Sequence, residues 1–233
     1  MTGTFINVAA ILIGGIIGLF FGARIPERFK YTVIAGMGLF TAAMGLQMFF
    51  KSNNQLIVLG ALLIGAMLGE WLGVENGLQA IGKTLEKRFS QDTTMGAGSR
   101  FVHGFMVSSL LYCIGPIAIL GSIQEGLTGD YNLLTVKSIL DGFASIAFAS
   151  TLGIGVLFSS GIVLIYQGGI SLLAHQLNAI ITDPMIAEMT ATGGVILIGV
   201  AFSNLLETKK IRVGNFLPAL AVAPFIVWVL SLL

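Results

Sequence analysis

Charged residues are scarce in this chain of 233 residues. Asp, Glu, Lys and Arg make up only 10% of it, and hydrophobic residues make up 55%. Soluble domains carry about 25% charged residues. The shortage extends along the whole length, so too few charges remain to cover a water-facing surface. This composition excludes a soluble domain with a single anchor and predicts a polytopic membrane protein.

Other scarcities exclude whole classes of function. The only cysteine is Cys113, which excludes an intrachain disulfide framework and a CxxC metal site. The net charge is +1 and neither terminus has a charged tail, which argues against a nucleic-acid partner. HExxH, GxSxG, P-loop and GxGxxG patterns are absent. We therefore expect neither an enzyme nor a cofactor nor a bound metal. The N-terminus lacks a basic n-region and a cleavage motif, so it predicts a membrane helix rather than a removable signal.

The apolar residues are distributed in eight segments. A bilayer-spanning helix needs about 20 apolar residues. The predicted spans are residues 5–22, 32–50, 55–73, 102–124, 133–151, 153–173, 185–206 and 214–232. The predicted fold class is therefore all-α, a polytopic transmembrane helix bundle. The fifth and sixth spans are joined only by TLGIG, so one of them is a candidate for a re-entrant or broken helix.

The basic residues support the count of eight. In an eight-helix topology, ten basic residues fall on one side of the membrane, and only Lys51 and Lys137 fall on the other. The ten are Arg24, Arg28, Lys30, Lys83, Lys87, Arg88, Arg100, Lys209, Lys210 and Arg212. The positive-inside rule then predicts that both termini lie outside the cytoplasm.

The chain forms a single integral-membrane domain, 1–233, with two halves. Residues 76–89 alternate at helical spacing between apolar and charged side chains, which predicts a cytoplasmic amphipathic helix lying on the membrane surface. The polar stretch 91–100 is predicted to be a flexible linker between an N-terminal half, 1–90, and a C-terminal half, 101–233.

Glycine is abundant, with 31 residues, and its placement suggests both a repeat and helix contacts. IAGMGLFTAAMG in the second span resembles TATGGVILIGVAFS in the seventh. The first three and last three spans therefore fit an inverted-topology repeat, unless glycine-rich membrane helices merely look alike. Small residues also recur at four-residue spacing, which predicts close contacts inside the monomer or between the subunits of a homodimer. They are Gly14, Gly18 and Gly22, and then Ala61, Gly65, Gly69 and Gly73.

Asp141, in the stretch VKSILDGFAS, lies about two turns inside the fifth span. A lone carboxylate there costs about 2.5–3.5 kcal/mol to insert. Ser138 and Ser145 share its helix face, and Lys137 precedes it by four residues. Two interpretations follow: a structural ion pair with Lys137, or an ion or proton site with these hydroxyls as ligands.

The fourth span supplies a possible partner. Pro116 cannot donate to the carbonyl of Tyr112, and a freed carbonyl inside a membrane needs another partner, either a serine or a desolvated cation. A broken helix beside a carboxylate is typical of cation sites in transporters. The candidate ligands of this span are Ser108, Ser109, Tyr112, Pro116, Gln124 and Glu125.

Weaker candidates lie elsewhere. We expect Asn7 and Asn204 to bond across helices, and Ser159 and Ser160 to extend the polar lining. The remaining acids fit ordinary solvated or interfacial charges, with Glu70 and Glu207 as partial exceptions because both end helices of the two suspected repeats. The acids expected at the membrane ends are Glu27, Glu70, Glu75, Glu86, Glu125, Asp130, Asp183, Glu188 and Glu207.

Two stretches carry a family resemblance. They are GTFINVAAILIGGIIGLFFGARIPERF and CIGPIAILGSIQEGLTGDYNLLTVKSILDGFASIAFASTLGIGV. The chain resembles the YqgA/YdfK-like family of bacterial membrane proteins (DUF554) over essentially its whole length. The resemblance implies a multi-pass membrane protein and a sodium channel or pump, with a link to biofilms in one branch. It carries over no binding residues.

Together, these features predict a small secondary transporter or channel for a small cation, coupled to Na⁺ or H⁺, or for a small solute. The alternative is a membrane protein that does not transport: a sensor, a scaffold or a partner subunit. In that case, residues 76–89 dock a partner and Asp141 pairs with Lys137.

Overall fold

The computed structural model describes residues 1–22, 24–89 and 97–232, and this part of the chain consists of helices joined by turns and short connections, without a strand. The helices, numbered in chain order, are α1 Thr2–Gly22, α2 Glu27–Phe49, α3 Gln55–Leu72, α4 Val74–Phe89, α5 Ala97–Cys113, α6 Pro116–Thr128, α7 Asn132–Leu152, α8 Gly155–Leu172, α9 Ala174–Asn178, α10 Asp183–Val200 and α11 Ala219–Leu230. A π-helix, Ala201–Leu205, continues α10, and a 3₁₀ turn, Val213–Phe216, leads into α11.

Among these residues, seven helices are long and apolar enough to cross a membrane. The pair α5 and α6, bent by 62°, makes eight if the two helices are counted as one span. The predicted all-α polytopic bundle is therefore confirmed. The fifth and sixth predicted spans, α7 and α8, are both continuous. They follow each other closely because Gly153 adopts a positive φ of 85°, which a residue with a side chain rarely does.

The break in the fourth span falls at Gly115 and Pro116. Gly115 is fully extended (φ −176°, ψ 142°), as expected for a residue before proline, and Pro116 starts α6 at a position that needs no amide hydrogen. The predicted broken helix is therefore present at the predicted proline.

Both glycine stripes form contacts inside the monomer. A Cβ at Gly14, Gly18 or Gly22 would overlap backbone carbonyls of α7, namely those of Gly142, Ile146 and Ser150. In α3, Gly65 packs on Ala219 and Gly69 on the carbonyl of Asn215. These contacts hold α1 against α7 and α3 against the start of α11. Polar side chains on the two helices of each pair can therefore come within hydrogen-bond distance.

The contact between α2 and α10 is reciprocal. A Cβ at Gly45 would meet the carbonyl oxygen of Gly194, and a Cβ at Gly194 would meet that of Gly45. A two-fold relation between the two helices would produce such a contact. The inverted repeat itself stays a prediction.

The amphipathic helix exists, but α4 begins at Val74 instead of residue 76. Gly73 (φ 64°) turns the chain directly from α3 into α4. Gly82 brings α4 onto Val102 and Phe105 of α5, so this helix packs on the bundle with one face. The part of the predicted linker from 91 to 96 lies outside the described residues. Its last four residues, 97–100, belong to α5 rather than to a flexible connection.

Candidate functional site

Asp141 forms an ion pair with the residue one helical turn before it. Lys137 donates to Oδ2 of Asp141 along α7. Both residues are buried, with 6% and 8% of their surfaces exposed. The pair is therefore electrically neutral, which is the arrangement that a buried carboxylate requires in an apolar medium.

Two carboxamides extend the pair into a network of three helices. Nδ2 of Asn7, in α1, lies 3.0 Å from Oδ2 of Asp141 and 3.3 Å from Oε1 of Gln167, in α8. Both amide side chains are almost completely buried. The Oδ1 atom of Asn7 and the Nε2 atom of Gln167 have no hydrogen-bond partner among the described residues. The network thus holds one unused acceptor and one unused donor.

The serines predicted to surround Asp141 divide into two groups. Ser145 and Tyr112 share a hydrogen bond of 2.8 Å, which joins α7 to the last turn of α5. Four others donate their hydroxyl hydrogens to carbonyls of their own helices, so that only their oxygen lone pairs remain for a ligand: Ser108, Ser138, Ser159 and Ser160. Ser109 is buried without a partner, and it faces a different, apolar cavity of about 720 Å³.

A cavity of about 620 Å³ lies between α2, α7 and the break in the fourth span. Lys137 and Asp141 line it, as do Tyr112, Gly115 and Pro116. Most of the other lining residues are apolar, including several from α2. Gly36 of α2 also lines this space, and a Cβ there would have no atom within 4 Å. The ion pair is therefore both buried and adjacent to an opening.

The break supplies backbone acceptors beside this cavity. The amide of Gly115 bonds to the carbonyl of Cys113 at 3.2 Å, whereas a continuous helix would direct it to Leu111. Pro116 has no amide hydrogen for the carbonyl of Tyr112. The carbonyls of Leu111 and Tyr112 thus lack their helical donors, and both residues line the cavity.

The other two candidates of the fourth span lie away from Asp141. Glu125 accepts hydrogen bonds from the amide of Gly3 at 2.5 Å, from Thr4 at 3.0 Å and from Ser171 at 3.2 Å. Gln124 donates to Asp130 at 2.7 Å. The expectation that Glu125 is a solvated interfacial charge is wrong, because its carboxylate is buried and accepts from the free amide of Gly3 at the start of α1.

Glu188 and Glu75 are also buried, contrary to the expectation for these acids. Glu188 accepts from Ser52 at 2.7 Å and from the amides of Asn53 and Asn54 at 2.7 and 2.9 Å, just before α3. Glu75 accepts from the amide of Gly214 at 2.8 Å. A carboxylate is stabilised at such positions because helix N-termini carry unpaired amides and partial positive charge.

Glu70 and Asn204 lie at the opposite end of the bundle from Glu125. Glu70 is exposed and pairs with Arg212 at 2.5 Å and with Asn215. Asn204 lies in the π-helix and lines a separate polar cavity together with Lys83 and Lys210. The structure therefore brings Asn7, Tyr112, Ser145 and Asp141 together, and places the remaining secondary candidates elsewhere.

Gln167 is the residue of the network that was not predicted. It is the only carboxamide in α8, within an otherwise apolar stretch, and this isolated polar side chain was the signal available in the sequence. Across the described ranges, no group of three His, Cys, Asp or Glu residues is placed to hold a metal ion.

Comparison with known proteins gives a consistent result. The family model described as protein of unknown function (DUF554) matches residues 2–228. The chain is 32% identical over 221 residues to the "Uncharacterized protein YqgA" of Escherichia coli K12, covering 95% of this chain and 94% of the relative. It is 30% identical over 234 residues to the "Uncharacterized membrane protein YdfK" of Bacillus subtilis 168, covering 99% and 97%. No solved structure matches at a significant level.

Proposed function

The chain belongs to the DUF554 family of membrane proteins, and we propose that it is a small secondary transporter or channel that moves a small cation across the bacterial inner membrane. One observation carries the proposal: the buried Lys137–Asp141 pair lines a cavity at the break between α5 and α6. Ionisable groups inside a membrane are costly and mark ion and proton pathways, and broken helices supply carbonyl ligands there.

In the proposed mechanism, the Lys137 ammonium occupies the place of the cargo. An arriving Na⁺ or proton binds Asp141 as the Lys137 ammonium releases its own proton to water, so that one cation enters the site for each one that leaves. For Na⁺, the available oxygen atoms are those of Asp141, the unused Oδ1 of Asn7, and the carbonyls of Leu111 and Tyr112. Exchange keeps the site neutral, which avoids leaving an isolated buried charge.

The orientation follows from the basic residues. The end that carries Lys83, Lys87, Lys210 and Arg212 is cytoplasmic in this proposal, and both termini are extracytoplasmic. The lipid bilayer surrounds α1 to α3, whose large apolar side chains are extensively exposed. In a homodimer, helices of the second subunit would cover the cavity, which few helices of one chain surround.

Flux through reconstituted vesicles tests the proposal. Purified protein in proteoliposomes should move Na⁺ or protons along an imposed gradient, and Asp141→Asn should abolish this movement while the protein remains monodisperse and helical. Ser231→Ala, at the exposed end of α11, is the control and should retain flux. Wild-type vesicles that conduct neither ion, or an Asp141→Asn variant with full flux, would contradict the proposal.

The second candidate is a sensor, scaffold or partner subunit that does not transport. It is favoured by the direct contact of Lys137 with Asp141 and by the apolar majority of the cavity lining. In this case, Asp141→Asn lowers stability only, and adding Lys137→Met restores stability without any flux appearing.

A further inference from the structure

The basic end of the bundle contains an unusual backbone segment. After Val200, the chain winds as a π-helix, in which the amide of Leu206 bonds to the carbonyl of Ala201 at 2.8 Å. Glu207 follows with a φ of 50°, in the left-handed region. Single π turns and left-handed non-glycine residues are uncommon, and both concentrate at functional sites.

This segment is fixed rather than loose. Ser203 accepts from the amide of Ile211 at 2.9 Å and donates to its carbonyl at 3.0 Å, while Thr208 bonds twice to the carbonyl of Phe202. The π turn holds Asn204 with its Oδ1 atom buried and without a hydrogen-bond donor. The segment therefore presents an unused acceptor in a defined position.

Asn204 lines a cavity of about 1070 Å³ between α4, the start of α5 and residues 203–212. Lys83 and Lys87, one turn apart on α4, and Lys210 on the opposite wall also line it. Within the described ranges, none of these three lysines has a carboxylate partner. Three ammonium groups without a carboxylate partner among the described residues thus line one cavity.

Some of the other charged groups of the cavity already have partners. Arg212 pairs with Glu70, and Glu75 accepts from Gly214 and Gln79. In the described part of the chain, the charged side chains without such a partner are the three lysines, Glu86 and Glu207. His103 is a further polar residue of the lining. Four basic side chains and three carboxylates line the cavity, and Glu70 pairs with Arg212, so the net charge is close to zero. The three lysines favour an anion locally, whereas the carboxylates and Asn204 favour a ligand that also donates hydrogen bonds.

We propose that this cavity binds a phosphate ester that carries hydroxyl groups, of the phosphoglycerol type. The lysines hold the phosphate oxygens as point charges, and Asn204 turns its buried Oδ1 toward the cavity to accept a hydrogen bond from a ligand hydroxyl. The volume lies at the upper end of ordinary ligand pockets and far exceeds one inorganic phosphate. The same chemistry occurs in the headgroup of an anionic lipid and in soluble glycerol phosphate.

Binding to the full chain in detergent tests this site. Native mass spectrometry measures the binding of two lipids, phosphatidylglycerol and phosphatidylcholine. Calorimetry measures the binding of two soluble compounds, glycerol 3-phosphate and inorganic phosphate. We expect one of the two phosphoglycerol sources to bind with a stoichiometry of one. Lys210→Gln and Asn204→Ala should each weaken binding about fivefold, the size expected for one partly exposed charge or hydrogen bond.

The chain offers a matched control. Lys209 is the neighbour of Lys210 but does not line the cavity, so Lys209→Gln should bind as the wild type does. Equal losses in Lys209→Gln and Lys210→Gln would mean general surface attraction and overturn the proposal. So would equal binding of phosphatidylcholine, an unchanged affinity in a monodisperse Asn204→Ala variant, or the failure of both phosphoglycerol sources to bind.

Discussion

Asn7 and Asp141 are 134 residues apart in the chain, yet Nδ2 of one lies 3.0 Å from Oδ2 of the other. The contact exists because the small residues of α1 let its backbone approach α7 closely. Asn7 is fully buried and also donates to Gln167, so it connects the ion pair on α7 with α8. The close packing of α1 on α7 therefore also positions the polar side chains around Asp141.

Asn7→Ala should destabilise the protein. It removes a donor from a buried carboxylate and from Gln167, and each loss costs about 1–3 kcal/mol. A thermal unfolding midpoint measured in detergent would fall by several degrees. Asn178→Ala, at an exposed position at the end of α9, is the control and should leave the midpoint unchanged. Equal midpoints for the two variants would show that the network contributes no stability.

A double-mutant cycle should show strong coupling between Lys137 and Asp141. Asp141→Leu or Lys137→Met alone leaves the other charge buried and unpaired, at a cost of about 3–5 kcal/mol. The double variant Lys137→Met, Asp141→Leu should recover most of this loss because the site becomes apolar. Chemical or thermal unfolding of all four proteins gives the coupling energy, and additive effects would mean that the contact is energetically irrelevant.

The sequence predicted the fold well because membrane spans depend on local composition. Eight apolar segments and one proline were sufficient to place the helices and the break at Pro116. The buried acids were harder to predict. Glu188 is near the end of a predicted span, as a solvated acid would be, and only the position of residues 52–54 in space shows that it caps α3.

The same distinction applies to the site. Asp141, Tyr112 and Ser145 are identifiable because a carboxylate, a helix break and hydroxyls at helical spacing are local patterns. Gln167 joins them through the packing of α8 against α1, which no local pattern encodes. Ser138, a candidate by spacing, donates its hydroxyl hydrogen to the carbonyl of Leu134 at 2.6 Å, so only its oxygen lone pairs remain for a ligand. Serine in a membrane helix has this competing partner one turn away.

Larger residues in the glycine stripe should disrupt folding. Gly14→Leu would drive a side chain into the carbonyl of Gly142, and overpacking of this kind costs about 1–3 kcal/mol or more. Gly161→Leu is the matched control, because a Cβ at this position of α8 meets no atom within 4 Å. Expression and monodispersity by size-exclusion chromatography should drop for the first variant only. Identical behaviour would mean that α1 and α7 do not pack as described.

Gly36→Leu should block the cavity without harming the fold. Gly36 lines the cavity beside Asp141, and a side chain there meets no protein atom nearby, so it would occupy the open space. We expect cation flux to fall while the unfolding midpoint stays within about 2 °C of the wild type. Gly161→Leu again serves as control and should retain flux. Full flux in a well-folded Gly36→Leu variant would place the pathway elsewhere.

Pro116→Ala should straighten the fourth span. Alanine supplies the missing amide hydrogen, which can then bond to the carbonyl of Tyr112 and remove both the break and its free acceptors. If these acceptors and the 62° bend between α5 and α6 shape the cation site, flux should fall although the fold remains stable. Pro224→Ala is the matched control, since Pro224 also lies inside a membrane helix, α11, but does not line the cavity of Asp141. Flux is measured for both variants in proteoliposomes. An equal reduction of flux in the two would show that any proline inside a membrane helix matters, and that the break between α5 and α6 has no special role.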